Sequence, residues 1–185
     1  IKEITRAVIL PFWNSYSFLA TYANVDKWGP EKGLPKSDNL LDQWILSKLQ
    51  TLIEQVDREM QDYNLNNVVP PLVEFIEYLT NWYIRLSRRR FWKSENDGDK
   101  FAAYSTLYTV LVDFSKILAP ILPFITDYIY SRLTNSNGKF SSIHLCDFPV
   151  PNKALQNRGL EEKMDLVRKA VELGRSLRSV HQLKT

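Results

Sequence analysis

The chain contains 185 residues, of which 44% are hydrophobic, 12% aromatic and 24% charged. These proportions are typical of a globular domain and exclude a disordered chain. The single cysteine, Cys146, excludes a disulfide framework within the chain and favours a reducing compartment, so we expect a cytoplasmic protein. No apolar run reaches the roughly 18 to 20 residues of a membrane-spanning helix, and we expect no membrane contact. The sequence starts at Ile1 rather than Met, which predicts a piece of a longer protein.

The first two predicted elements are helices. We expect one helix over residues 2–22, with a kink at Pro11, followed by a loop that is rich in glycine and proline. Asp38 then predicts the N-cap of a helix of about six turns. Its apolar stripe has steps of three and four and consists of Leu41, Ile45, Leu49, Leu52, Val56, Met60 and Tyr63.

Three more helices are predicted between residues 66 and 133. Asn66 or Asn67 caps the first, whose core stripe includes Leu79, Tyr83 and Leu86 and which ends near Trp92. The second has Asp99 as its N-cap, and the third covers residues 123–133. Each stripe has the spacing of one buried helix face, and the connections are short, which favours antiparallel neighbours.

The last part of the chain predicts an extended stretch over residues 140–145 and a helix over residues 159–183. We therefore predict an all-α fold: an antiparallel helical bundle with a short extended segment and a C-terminal helix. Residues 1–150 form the bundle in this interpretation. Residues 151–185 form a linker and a C-terminal helix that leads to a further C-terminal module.

The net charge of +3 is small, but the positive charge is concentrated at residues 85–93. On a helical wheel, one set of side chains lies opposite the core stripe, namely Asn81, Arg85, Arg88, Arg89 and Trp92. Cations near a helix C-terminus also stabilise the helix dipole, so a solvated helix end competes with a nucleic-acid-binding face. An exposed tryptophan beside arginines favours stacking on a base. Arg90 falls on the core side, where it pairs with a buried carboxylate or reaches out through the end of the bundle.

The final helix has a second, weaker basic set, which is either a solvated mixed face or an extension of the first. Its members are Arg168, Lys169, Arg175 and Arg178. We predict no catalytic residue and no metal site, because His144 and Cys146 lack further ligands at zinc spacing and His181 has no acid or base partner nearby. The glycines do not form a phosphate-binding loop.

Several sequence blocks stand out along the chain: NWYIR at 81–85, SRRRFW at 87–92, LPFWNSY at 10–16, LDQWILS at 41–47, LPF at 122–124, SIHL at 142–145, DFP at 147–149 and LGRS at 173–176. Together they resemble the helical anticodon-binding domain of class I isoleucyl-tRNA synthetases, of the eukaryotic and archaeal type. Valyl and leucyl enzymes share the bundle, and the arginine run favours the isoleucyl member.

The resemblance implies that the parent protein joins isoleucine to its tRNA with ATP and that this fragment binds the anticodon arm. The fragment itself lacks both ATP-site signatures of that family, so we expect no activity and no cofactor in it. The expected RNA contacts are Arg85, Arg88, Arg89, Trp92 and Lys93. Trp82 and Tyr83 are expected to pack between helices. The alternatives are the same module of a valyl- or leucyl-tRNA synthetase, or a structural or protein-interaction bundle.

Overall fold

The computed structural model describes residues 5–30, 36–93, 95, 97–134 and 141–182. Six helices, and no strand, occur in these ranges, which confirms the predicted all-α fold. The helices are α1 (Leu10–Val25), α2 (Leu40–Gln61), α3 (Val69–Glu77, Tyr78–Ile84 and Arg85–Trp92), α4 (Gly98–Leu118), α5 (Pro123–Leu133) and α6 (Arg158–Val180). A π-helical turn, Thr5–Ile9, leads into α1, and α3 is one continuous helix with a central π-helical part. No helix in the described ranges combines the length and the hydropathy needed to cross a bilayer.

The first helix accommodates Pro11 at its beginning. Pro11 lies in the first turn of the α-helical part, where a missing N–H removes no internal hydrogen bond. The expected kink is therefore a change of helix type, from π-helical to α-helical, just before Pro11. Phe12 and Leu19 of α1 are buried in the core, where Phe12 meets Phe114 of α4 edge-on at 5.5 Å between ring centroids.

The second helix follows the predicted stripe over most of its length. Its N-cap is Asn39 rather than Asp38, because the Asn39 side-chain oxygen accepts the Leu41 N–H at 2.9 Å. Leu49 and Val56 are fully buried. Placing Tyr63 in the stripe was wrong: this residue follows the helix end, has a left-handed φ of 56°, and is 87% exposed.

The third helix buries Ser87 in its last turns, in place of the predicted Leu86. Its buried positions advance in steps of four, through Leu79, Tyr83, Ser87 and Phe91. Leu86 is 53% exposed, so its assignment to the core was wrong. The reason is the π-helical part, Tyr78–Ile84, whose wider turns delay the helix by about one residue position.

The fourth helix is the most deeply buried element of the bundle. Its N-cap is Asp97, whose carboxylate accepts the Lys100 N–H at 2.8 Å, and the predicted cap Asp99 lies in the first turn instead. Tyr104, Leu111 and Phe114 have essentially no exposed surface. The fifth helix has the predicted bounds.

The first four helices alternate in direction, as the prediction of an antiparallel bundle requires. The C-terminal ends of α1 and α3 meet the N-terminal ends of α2 and α4 at one end of the molecule. Three ion pairs join these ends: Arg90 to Asp42 at 2.7 Å, Arg90 to Asp99 at 2.7 Å, and Lys100 to Asp26 at 2.6 Å. We call the side chains of Asp26, Asp42, Arg90, Asp99 and Lys100 the end cluster.

The predicted extended segment at residues 140–145 is a short turn in its described part. Residues Ile143–Leu145 form one turn of 3₁₀-helix, so the prediction of a strand or extended cover was wrong there, and Phe140 lies outside the described residues. Asp127 of α5 determines this geometry, because its carboxylate accepts the Ser142 hydroxyl at 2.7 Å and the Ile143 N–H at 2.9 Å.

The sixth helix packs on α2 through its first half only. Glu161 accepts the hydroxyl groups of Ser47 and Thr51, and Lys48 contacts Asp165 at 3.0 Å. Leu166, Leu173, Leu177 and Val180 form an apolar stripe along this helix, and all four side chains are exposed. The proposed domain boundary near residue 150 stays a prediction.

Candidate nucleic-acid interface

The last two turns of α3 present the four predicted contact residues Arg85, Arg88, Arg89 and Trp92, which we call the basic face. All four side chains are exposed, and Trp92 is 55% exposed. Within the described part of the chain, none of the three arginines of the basic face forms an ion pair. The Arg88 guanidinium lies 6.0 Å from the centre of the Trp92 ring, in the range of a cation–π contact. The structure therefore brings the four residues together as one cationic and aromatic surface.

Buried aromatic rings hold this part of α3 in place. Phe91 meets Phe18 of α1 edge-on at 5.0 Å and Tyr104 of α4 edge-on at 5.1 Å between ring centroids. Trp82 and Tyr83 are also buried, as predicted for residues that pack between helices. The basic face thus lies on a helix that is anchored on its other side, so its arginines hold fixed backbone positions.

Arg90 points into the bundle, and the prediction that it pairs with a buried carboxylate is confirmed. Its two terminal nitrogens donate to the two carboxylate oxygens of Asp42 at 2.7 and 2.8 Å, and Tyr83 donates its hydroxyl to the same carboxylate at 2.8 Å. Asp42 is 0% exposed. Burial opposes the charge of Arg90, but the hydrogen bonds to Asp42 and Asp99 raise its pKa overall. Burial, followed by the charge of Asp42, raises the pKa of Tyr83 well above its usual value.

Lys93 lies at the edge of the end cluster rather than on the basic face. Its ammonium contacts Asp97 at 2.6 Å and Asp99 at 3.3 Å. The hydrogen bond to Asp97 raises the pKa of Lys93. Two carboxylates therefore already neutralise the charge that was assigned to an RNA phosphate, and a contact between Lys93 and RNA stays a prediction.

The second basic set divides into one buried and three exposed members. Arg168 has a side chain only 11% exposed, and its guanidinium lies 4.2 Å from the centre of the Tyr78 ring and 3.8 Å from a Glu77 oxygen. It holds α6 against α3, so its side chain faces the bundle. The other three residues, Lys169, Arg175 and Arg178, are exposed on α6.

A groove between α1 and α3 opens beside the basic face, and sequence reasoning missed it. Its walls carry the side-chain amides of Asn14 and Asn81, and Arg88 lines the end next to the basic face. Asn81 was already placed on the outer face of α3. Asn14 lies on another helix, and no spacing within one sequence segment reveals that these two amides face one groove.

His144 and Cys146 have local partners of their own. The His144 Nε2 atom lies 3.2 Å from the Pro123 carbonyl oxygen, and the Cys146 Sγ atom lies 3.3 Å from the Tyr130 hydroxyl. Across the described residues, no group of three or more His, Cys, Asp or Glu side chains is placed to hold a metal ion.

Comparison with known proteins assigns the class of this fold. The sequence profile of the family described as "Anticodon-binding domain of tRNA ligase" matches residues 42–185, which is most of the chain. The chain therefore belongs to the anticodon-binding domain family of tRNA ligases. This agrees with a helical bundle that carries an exposed cationic face.

The relatives found among curated proteins are more specific. The chain is 46% identical over 197 residues to isoleucine–tRNA ligase of Treponema denticola, 42% over 184 residues to that of Protochlamydia amoebophila, and 46% over 187 residues to that of Dehalococcoides mccartyi. Each comparison covers 100% of the chain and 18% of the relative. These organisms are bacteria, so the comparisons do not support the expected eukaryotic and archaeal type.

Proposed function

We propose that this chain is the module of an isoleucine–tRNA ligase that binds the anticodon arm of tRNA. Membership of the anticodon-binding family and identities of 42–46% to isoleucine–tRNA ligases support this proposal. In it, the parent protein joins isoleucine to its tRNA with ATP in the cytoplasm. The chain itself contributes RNA binding and holds neither ATP nor a metal.

The observation that carries the proposal is the contrast between paired and unpaired cations at the end of α3. Arg90 and Lys93 are neutralised by carboxylates of the bundle. Arg85, Arg88 and Arg89 form no ion pair with the described residues. Three exposed guanidinium groups that form no ion pair in the described part of the chain, together with an exposed indole, are a suitable surface for phosphates and an unpaired base.

The proposed binding depends mainly on phosphate neutralisation. Arginine donates planar, paired hydrogen bonds that fit phosphate oxygens, and each neutralised phosphate releases counterions into solution. With three arginine contacts, a plot of log affinity against log salt concentration should have a slope between about −2 and −3. The indole of Trp92 adds stacking, which does not depend on salt in this way.

The exposed half of α6 supports a further part of the proposal. Its apolar stripe lies outside the bundle core, and the chain spans 18% of the length of its relatives. We propose that α6 leads towards other parts of the parent synthetase. Lys169, Arg175 and Arg178 are secondary RNA contacts in this arrangement.

Gel-shift titration of the chain with tRNA at two salt concentrations tests the proposal. Isoleucine tRNA should bind, and the variant with Arg88→Glu together with Arg89→Glu should bind much more weakly and with a flatter salt slope. The matched control is Lys163→Glu together with Lys153→Glu, which changes the net charge equally at exposed positions outside the basic face. Equal losses in both double variants, or binding that is independent of salt, would contradict the proposal.

Two other experiments separate the remaining alternatives. Aminoacylation by the full-length parent with isoleucine, valine and leucine distinguishes the isoleucyl enzyme from its valyl and leucyl counterparts. If the chain is instead a protein-interaction bundle, tRNA should fail to compete with proteins retained on the immobilised chain.

A further inference from the structure

Lys100 of α4 is a buried cation that contacts the ends of two other helices. It is 2% exposed. Its ammonium lies 2.6 Å from the carboxylate of Asp26, the C-cap residue of α1. The same ammonium donates to the carbonyl oxygen of Lys93, the C-cap residue of α3, at 2.8 Å. Lys100 therefore connects the C-terminal ends of α1 and α3 from a third helix.

Stability alone does not account for this buried pair. Taking an ammonium and a carboxylate out of water costs about as much free energy as their attraction returns, and apolar residues of similar volume often stabilise a fold as well or better. The Asp26 carboxylate also accepts the Tyr104 hydroxyl at 2.5 Å, so partners from the bundle hold both charges. Such a pair fixes a particular geometry, and on α3 the atom that it fixes is the Lys93 carbonyl oxygen.

The position of Lys93 matters because it directly follows Trp92 of the basic face. The last carbonyl groups of a helix have no partner within the helix, so helix ends fray unless other groups bind them. At Lys93 the chain leaves α3 in an extended conformation, with φ of −60° and ψ of 145°. Trp92 is 55% exposed, so the position of its indole depends strongly on the backbone that carries it. The hydrogen bond from Lys100 fixes this backbone one residue beyond Trp92.

We propose that Lys100 is a positioning residue for RNA binding. It holds the end of α3 so that the Trp92 indole and the Arg88 guanidinium, 6.0 Å apart, face the RNA as one surface. A surface that is ordered before binding loses less conformational freedom when the ligand arrives. Lys100 is buried and acts through the backbone of α3 rather than by touching RNA. The inference rests on the proposed function, and it adds to that function a residue outside the basic face.

The test variant combines Asp26→Asn with Lys100→Met, which we call the pair variant. It removes the donor to the Lys93 carbonyl, leaves no unpaired buried charge and keeps the net charge. Its amide oxygen at position 26 still accepts the Tyr104 hydroxyl. Binding of isoleucine tRNA should weaken about fivefold, the lower end of what a stacking tryptophan contributes. The salt slope should not change, because no phosphate contact is removed.

The matched control is Asp113→Asn together with Lys116→Met. These residues form an ion pair at 2.9 Å on α4, so the control removes the same two charges from the same helix at a more exposed site. It should bind tRNA like the unmodified chain. Circular dichroism melting verifies that each variant is folded.

Two further measurements separate positioning from a general effect on the fold. In the background of Trp92→Ala, the pair variant should weaken tRNA binding by less than about twofold, because the side chain that Lys100 positions is already absent. Labelling with 5-fluorotryptophan gives a fluorine NMR signal for each of the five tryptophans, and Trp92→Phe identifies the signal of Trp92. This signal should be broad in the unmodified chain and should sharpen in the pair variant as the indole becomes mobile.

The inference and the proposed function fail in different ways. If the pair variant binds tRNA like the unmodified chain, or loses as much affinity without Trp92 as with it, the inference is overturned and the proposed function stands. The same holds if the Trp92 signal of the unmodified chain is as narrow as in urea, a measurement that needs no folded variant. If the unmodified chain does not bind tRNA at low salt, both are overturned.

Discussion

The inner and outer sides of the last two turns of α3 use the same residue type in opposite ways. Arg90 on the inner side is held by two hydrogen bonds to Asp42, a carboxylate without any exposed surface. Arg89, its immediate neighbour, is exposed on the outer side, and within the described residues it has no ion-pair partner. The difference shows that the position of an arginine on the helix, rather than the local composition, decides whether it stabilises the fold or stays available to a ligand.

The inner and outer arginines also differ in how much their substitution should change the stability of the fold. A buried ion pair stabilises a fold only weakly compared with apolar packing, but removing one partner leaves an uncompensated charge and is strongly destabilising. Replacing an exposed arginine that touches nothing else changes the free energy of unfolding by no more than about 0.5 kcal/mol. Substitutions on the two sides should therefore affect different measurements.

The largest effect is expected for Asp42→Ala. The substitution leaves the Arg90 charge and the Tyr83 hydroxyl without their shared acceptor, so the free energy of unfolding should fall by about 3–5 kcal/mol. Urea denaturation measures it. Asp113→Ala is the control, because this carboxylate pairs with Lys116 at a site where both side chains are about one-quarter exposed, and its loss should cost about 0–1 kcal/mol. A loss below 1 kcal/mol for Asp42→Ala would show that the inner arginine is not held as described.

A second pair of substitutions tests which side of α3 faces the core. Leu79→Ala should lower the free energy of unfolding by about 2–5 kcal/mol, because Leu79 is fully buried. Leu86→Ala should change it by no more than about 0.5 kcal/mol, because this leucine is exposed. If thermal or urea unfolding showed similar losses of stability for the two variants, α3 would be wound as an ordinary α-helix along its whole length, with Leu86 in the core.

Trp92→Ala tests the aromatic part of the basic face. Loss of the stacking surface should weaken RNA binding by about 1–3 kcal/mol, with the salt slope unchanged and the fold intact. Arg85→Ala is the companion variant and should reduce the slope by about 0.7–0.9. Should Trp92→Ala alter the slope as much as Arg85→Ala does, the indole would be acting through the position of Arg88 rather than by stacking.

The smallest effect concerns the acid stability that the end cluster provides. Burial works against ionisation of Asp26, but hydrogen bonds from Lys100 and Tyr104 lower its pKa overall. Because the folded pKa lies below the unfolded value of about 3.9, this stabilisation is present above that value and is lost as pH falls through the folded pKa. Thermal melting between neutral pH and pH near 3 should show the loss, and Asp26→Asn should flatten the profile.

The sequence predicts much of this molecule, and its failures have physical causes. Stripes such as Leu49 and Val56 on α2 identify the helices, because one face of each is buried along its length. Leu86 was misplaced since a wheel assumes uniform winding, which the π-helical part breaks. The exposed stripe of α6 is a second case. Apolar spacing identifies the helix, but its apolar face is buried only where another element packs against it. Composition does not show which cations are paired, so Lys93 and Arg168 were grouped with the RNA-binding residues although carboxylates of the bundle contact both.

The π-helical part of α3 also holds about one residue more than the same length of ordinary helix would. Deleting one residue within Tyr78–Ile84 should therefore restore ordinary winding and leave the last two turns in their present orientation, with Ser87 and Phe91 still in the core. Inserting one residue there without further widening of the turns should instead rotate the last two turns by about 100°. The arginines would then swing around the helix axis while α1, α2 and α4 kept their positions, which no point substitution on the surface achieves.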